Sequence, residues 1–180
     1  MGPGATTAII IVVILIIIFI VEYNTIKSLQ NKVKQSRSGI DVALTKRFDL
    51  IPNLVECVKG YCEHEEKVLT ELTKARTDYL KSKSLSVGEI ANDKTKNVLL
   101  LAERYPALKA SNQFMELQAS LERTESSLAA ARRLYNSDVT MYNTKIQTFP
   151  GNLFASFMGA KPEEFFEAEE GAKEKVKVKI

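Results

Sequence analysis

Fourteen consecutive apolar residues, Ala8 to Val21 (AIIIVVILIIIFIV), constrain this chain more than any other feature. With Ala5, Thr6 and Thr7 the uncharged stretch reaches seventeen residues. That is roughly 25 Å of helix, at the short end of what spans a bilayer. A cleaved signal peptide needs a basic leader and a small-residue cleavage site. The preceding MGPGATT carries no Lys or Arg, and the following Glu22-Tyr23-Asn24 offers no A-x-A pattern. The expectation is an uncleaved anchor over residues 8–21, with Ala8, Ile9, Ile14, Ile18, Phe19 and Val21 among its residues, after a short non-cytoplasmic N-terminus of residues 1–7. Lys27, Lys32, Lys34 and Arg37 follow within twenty residues of it. Positive residues stay inside, so the chain is expected in the cell membrane as a single-pass protein, N-terminus outside and large domain cytoplasmic. Two unpaired thiols suit that reducing compartment. The start MGPGAT also fits a loose myristoylation pattern, a chance match with a hydrophobic anchor directly behind it.

Composition narrows the chemistry. The chain has 180 residues, 26% charged and 45% apolar, which is one globular domain's worth. There is no Trp and one His, His64, so a His-based metal site or a Ser-His-Asp triad would have to be built around one imidazole. Cys57 and Cys62 are too few for a disulfide framework. A net charge of +3 gives no argument for nucleic acid.

The remainder reads as long helices. Ile26, Leu29, Val33, Ile40 and Leu44 form one stripe in a segment, 22–48, that has no proline and continues from the anchor. Pro52, tolerated in a first turn, marks a tight reversal or a kink with Asp49 as N-cap. A second helix is predicted over 53–83, with Leu54, Val58, Tyr61, Glu65, Val68, Leu72, Ala75 and Tyr79 alternating at four and three. A shorter one covers 88–104, closed by Tyr105-Pro106. The last, 111–148, carries Phe114, Leu117, Leu121, Thr124, Leu128, Ala131, Tyr135, Val139, Tyr142, Ile146 and Phe149 without a break. Such narrow stripes bury against partners in a bundle or coiled coil. The fold class is therefore all-α: an elongated antiparallel bundle of about four helices on a transmembrane helix. Pro150-Gly151-Asn152 is read as a stop, and residues 150–180 as a tail. The tail holds the apolar cluster Leu153, Phe154, Phe157, Met158, Phe165 and Phe166, an acidic stretch, and a KVKVKI end able to add as a strand or to fray.

Three blocks resemble the LemA family. The most specific is IDVALTKRFDLIPNLVECVKGY, which includes Asp41, Arg47, Asp49, Leu50, Ile51, Pro52, Asn53, Leu54 and Tyr61. It lies in a longer match that starts at Tyr23-Asn24 and ends at Glu65. The second is RRLYNSDVTMYNTKIQTFPGNLFA, with Arg132, Tyr135, Asn136, Tyr142, Asn143, Phe149, Pro150, Gly151 and Asn152. The third is YPALKASNQFMELQ, Tyr105 to Gln118. Departures are Cys57 and Cys62, where small or hydroxyl residues are expected, and Met158-Gly159-Ala160, where an aromatic usually follows the glycine. The resemblance implies a LemA-like helical bundle on a single-pass anchor, without established enzymatic activity or cofactor. By analogy it implies a setting in membrane protein quality control beside membrane metalloproteases, and a membrane-shaping role for some members.

Read as residues, Tyr135-Asn136 and Tyr142-Asn143 stand one heptad apart, and Tyr23-Asn24 repeats the pair near the anchor. They are either a polar ladder that fixes helix register or tyrosines at the edge of a core. Glu63-His64-Glu65-Glu66 lacks the second His of a zincin or di-iron motif and reads as a solvated helical face. Cys57 and Cys62 point roughly 140° apart on a helix and read as small buried residues. The basic stalk, with Lys46 and Arg47 added, either meets anionic lipid or only sets topology. Neither GxGxxG nor a P-loop occurs, and no catalytic constellation is found. The leading expectation is a non-enzymatic scaffold on the lipid bilayer that forms a homo-oligomer, since the heptads exceed what one small bundle needs. The alternative is a monomeric adaptor that presents the tail to a membrane protein such as a protease.

Overall fold

The structure, a computed structural model, describes residues 3–62 and 64–166. Glu63, the glutamates from Glu167 onward and the Lys173–Ile180 alternation lie outside the described residues. The described residues are all-helical and contain no strand. In chain order the helices are α1 (Pro3–Phe48), α2 (Ile51–Lys59), α3 (Glu66–Ser82), α4 (Leu85–Leu101), α5 (Pro106–Lys109), α6 (Asn112–Gln147) and α7 (Gly151–Met158). A single 3-10 turn, Ala102–Arg104, joins α4 to Tyr105. The chain forms two compact units. One comprises Met1–Ser36 with Arg132–Ile180, the other Arg37–Ala131. Helices α1 and α6 contribute residues to both.

Apolar spacing explains the core of each. Within 37–131, Ile40, Leu44, Leu54, Val58, Leu72, Tyr79, Leu121 and Leu128 are fully buried. Phe48 meets the Tyr79 ring edge-on at 5.0 Å. Within the other unit, Ile26, Val33, Tyr135, Val139, Tyr142 and Ile146 are buried.

Four local expectations change. The helix read over 53–83 is two helices, because Gly60 ends α2 and α3 begins only at Glu66. Cys62 is buried in that connection while Tyr61 is exposed, and Leu69 takes the core position read for Val68, which is half-buried. Asp49 does not cap α2: Leu50 holds the N-cap position with Pro52 in the first turn. Asp49 instead faces Arg76 at 3.7 Å, and Arg76 Nε donates to the Phe48 carbonyl at 2.8 Å. That bond satisfies an otherwise orphaned acceptor at the end of α1. Pro150-Gly151-Asn152 does not begin a loop but opens α7, and Phe149, read as the last residue of the α6 stripe, is 80% exposed.

Candidate functional site

Arg47 is the most buried charge of the motif block. It sits on the last turn of α1 and is 2% exposed, so it does not belong to the solvated basic stalk. Its Nη1 donates to the Leu121 carbonyl at 2.6 Å and lies 3.3 Å from Glu125 and 3.4 Å from the Thr124 hydroxyl. A guanidinium presents several donors in a rigid fork, which suits it to staple two helices through one buried head. Asp41, one turn and a half earlier, accepts from the Tyr79 hydroxyl through its backbone and side-chain oxygens, at 3.3 and 3.4 Å. Burial, reinforced by the Asp41 charge, pushes the Tyr79 phenol up to about 12. Ile51 and Leu54 are buried beneath this arrangement, and Leu50 is half-buried, whereas Pro52 and Asn53 face solvent. The motif IDVALTKRFDLIPN thus encodes a helix-helix joint, in which Asp41, Arg47 and Asp49 are engaged with other helices.

Of the acidic cluster, Glu65 is likewise committed. His64 and Glu65 lie in the connection before α3 and not on a helical face. Glu65 Oε1 accepts from Arg104 at 3.0 Å and from the Tyr105 hydroxyl at 3.2 Å, while His64 is exposed. Cys57 and Cys62 are free, buried thiols. Burial raises both, and the Glu65 charge adds to the rise at Cys62. An open groove between α2 and α3 is lined by Lys59, Thr73, Lys74, Thr77, Asp78 and Lys81, three cations and one carboxylate among them.

The most specific polar geometry belongs to the other unit. The two asparagines one heptad apart on α6 do not pair with another helix. Asn143 Nδ2 donates to the Glu163 carbonyl at 2.8 Å, and its Oδ1 accepts the Glu163 N–H at 2.9 Å. Asn136 repeats the pattern with Phe166, at 2.9 and 2.8 Å. Each side-chain amide therefore pairs with both backbone groups of one residue, as a neighbouring strand would. The spacing explains the register. Seven residues of helix rise about 10.5 Å, and three residues of extended chain cover about 9–10 Å. Between the clamps, the Tyr135 hydroxyl donates to the Glu164 carbonyl at 3.0 Å, and the Arg132 guanidinium lies over the Phe166 ring at 5.0 Å. Tyr142 is fully buried; burial, then the Glu163 charge, raises its phenol. The ladder thus binds the segment 163–166 along α6. Tyr23 and Asn24 are exposed and take no part; Tyr23 stacks on Phe19 at 6.4 Å.

The same unit holds the apolar run. From residue 9 to residue 21 every large side chain is exposed, from 40% at Ile18 to 59% at Leu15. Among the described residues α1 is the one helix long and apolar enough to cross a membrane. Glu22, the first charge after the run, pairs with Lys145 of α6 at 2.7 Å, and both are largely buried. Beyond α6, Gly151 packs so closely that a Cβ there would collide with the Lys145 carbonyl. Gly159, at φ +63°, closes α7 in the left-handed conformation that glycine adopts without penalty.

A family model described as the LemA family matches residues 36–180. Among similar proteins, Magnetosome protein MamQ 2 of Paramagnetospirillum magneticum is 21% identical, over 82% of this chain and 65% of its own length. Protein LemA of Metamycoplasma hominis is 26% identical, over 84% of this chain and 72% of its own. Magnetosome protein MamQ of Magnetospirillum gryphiswaldense is 20% identical, over 82% and 65%. The chain thus spans slightly less than two thirds of the magnetosome relatives it matches.

Proposed function

Because the chain belongs to the LemA family, we propose that it is a membrane-anchored, non-enzymatic helical scaffold that self-assembles into a homo-oligomer on the bilayer. One observation carries the reading. The exposed column of residues 9–21 belongs to the same helix, α1, that supplies Ile26, Val33, Ile40 and Leu44 to the core. Lipid is the phase that covers such a column without a protein partner. The basic residues Lys27, Lys32 and Lys34 beyond the anchor favour a cytoplasmic bundle and an external N-terminus. Self-assembly is supported by Leu134 and Met141, one heptad apart on α6 and exposed to 57% and 44%. A seam of that spacing packs against another helix. The magnetosome relatives make organisation of a membrane the proposed setting, with membrane protein quality control as the wider one.

The test is the mass of the full-length protein released in native nanodiscs, read by native mass spectrometry. A discrete homo-oligomer that falls apart when Leu134 and Met141 are both replaced by Glu is the expected result. A monomer carrying a different membrane protein would overturn it and make the chain an adaptor.

A further inference from the structure

We propose that α7, with Phe149 just before it, is a second membrane contact, an interfacial segment that places Phe149, Leu153 and Phe157 in the bilayer beside the anchor. The proposal rests on the anchoring of α1 argued above. Phe157 is 87% exposed, Phe149 80% and Leu153 54%. Large aromatic surface of that extent is not left to water without a partner. Leu153 and Phe157 are four residues apart and share one face of α7.

The neighbour of α7 identifies the partner. Phe154 meets Phe19 edge-on, with ring centres 5.7 Å apart. Phe19 lies inside the apolar run, three residues before Glu22. A helix touching Phe19 shares the surroundings of Phe19, which in an anchored protein are lipid. The polar boundary coincides. The Glu22–Lys145 pair, 2.7 Å apart, ties the end of the apolar run to the stretch of α6 that leads into α7. From Phe149 to Ala160 the chain carries no charge, and Lys161 closes the stretch. Lys161 lines one groove with Lys27, Gln30, Met158 and Glu163, so cations stand at its rim, where anionic headgroups would lie. An apolar helix face with cations at one rim suits the plane of the headgroup–acyl boundary.

The absence of tryptophan makes the test direct, because a single introduced indole is the only one. Full-length Phe157→Trp, Ile14→Trp and Arg133→Trp would each be reconstituted in liposomes of lipids brominated on the acyl chains, with no scaffold protein to add its own indoles. Arg133 is exposed on α6, twelve residues and roughly 18 Å of helix before Lys145. The expected result is blue-shifted emission, quenched several-fold by bromine, for Phe157→Trp and Ile14→Trp, with Arg133→Trp unquenched. Quenching at position 14 but not at 157 would overturn the proposal and leave the anchor intact. A blue shift at 157 without quenching would also overturn it, in favour of a protein surface. Quenching at neither position would remove the anchor reading and this proposal together.

Discussion

The unit of residues 37–131 and the unit built from 1–36 and 132–180 solve opposite problems with the same helices. The first turns its polar motif residues inward. Arg47 is 2% exposed and engaged with Leu121, Thr124 and Glu125, and Tyr79 is closed against Asp41. The second turns apolar residues outward, at 9–21 and again at Phe149, Leu153 and Phe157, and spends its polar side chains on an extended segment. The first closes a core around Leu44, Leu54, Leu72 and Leu121. The second presents surface that only another phase or another chain covers. Motif residues therefore carry different meanings in the two places: a buried joint in one, and a grip on an extended segment in the other.

The strongest way to break that contrast is Arg47→Ala. It leaves the Leu121 carbonyl and the partly buried Glu125 without their cation, an expected loss of about 3–5 kcal/mol, the range for breaking a buried pair. Chemical denaturation should show it as a lowered midpoint, with the Asn136 and Asn143 clamps unaffected in the native state. A wild-type midpoint would mean that the joint is not held by Arg47.

Next in size is Gly151→Ala. The added methyl meets the Lys145 carbonyl, a backbone atom that does not yield cheaply. Overpacking of this kind costs about 2–3 kcal/mol. The expected readout is local: bromine quenching of Phe157→Trp falls, while the melting of residues 37–131 is unchanged.

Tyr79 gives a pH test of similar but smaller size. Its folded pKa, pushed up to about 12, lies above the ordinary phenol value near 10. The neutral phenol is therefore favoured by folding. Its contribution is complete below pH 10 and is lost as pH rises from about 10 through about 12. Two units correspond to an upper bound of about 2.7 kcal/mol. Tyr79→Phe should flatten the loss of stability over that window; an unchanged alkaline slope would assign it elsewhere.

The smallest effect sharpens the second region. Asn143→Asp keeps the acceptor for the Glu163 N–H but sets a carboxylate oxygen against the Glu163 carbonyl, where the amide donates now. About 1–2 kcal/mol of local stability is expected to go. Hydrogen exchange should rise at residues 163–166, with no change in the global midpoint. Unchanged exchange there would mean that the clamp does not hold the segment.

How much of this was legible in the sequence depends on the range of the interaction. The long apolar helix was legible because its length and apolarity belong to one contiguous run, residues 8–21. The α6 stripe was legible because one face of a helix repeats every 3.6 residues whatever it packs on. Phe114 to Ile146 follows that stripe into the core, apart from the half-buried Ala131. The break at 60–65 was hidden because apolar residues keep near-heptad spacing across the connection, with Gly60 as the only local signal.

The asparagine pair shows the limit most clearly. The seven-residue spacing of Asn136 and Asn143 is equally suited to a helix and to an extended strand. Nothing local chooses between them. Their partners, Glu163 and Phe166, are 20 and 30 residues away, and which backbone reaches an amide is settled by how the chain returns past the close turn at Gly151. The sequence by itself determined that this is a helical chain with a membrane-length apolar segment, because period and hydropathy are properties of neighbours. Only the tertiary structure decided that Arg47 is a buried staple, that Pro150-Gly151 starts a helix, and that the asparagines grip an extended segment. The staple and the grip depend on contacts between residues distant in the chain, which no local pattern encodes, and the start at Pro150-Gly151 on the close packing of Gly151 against Lys145.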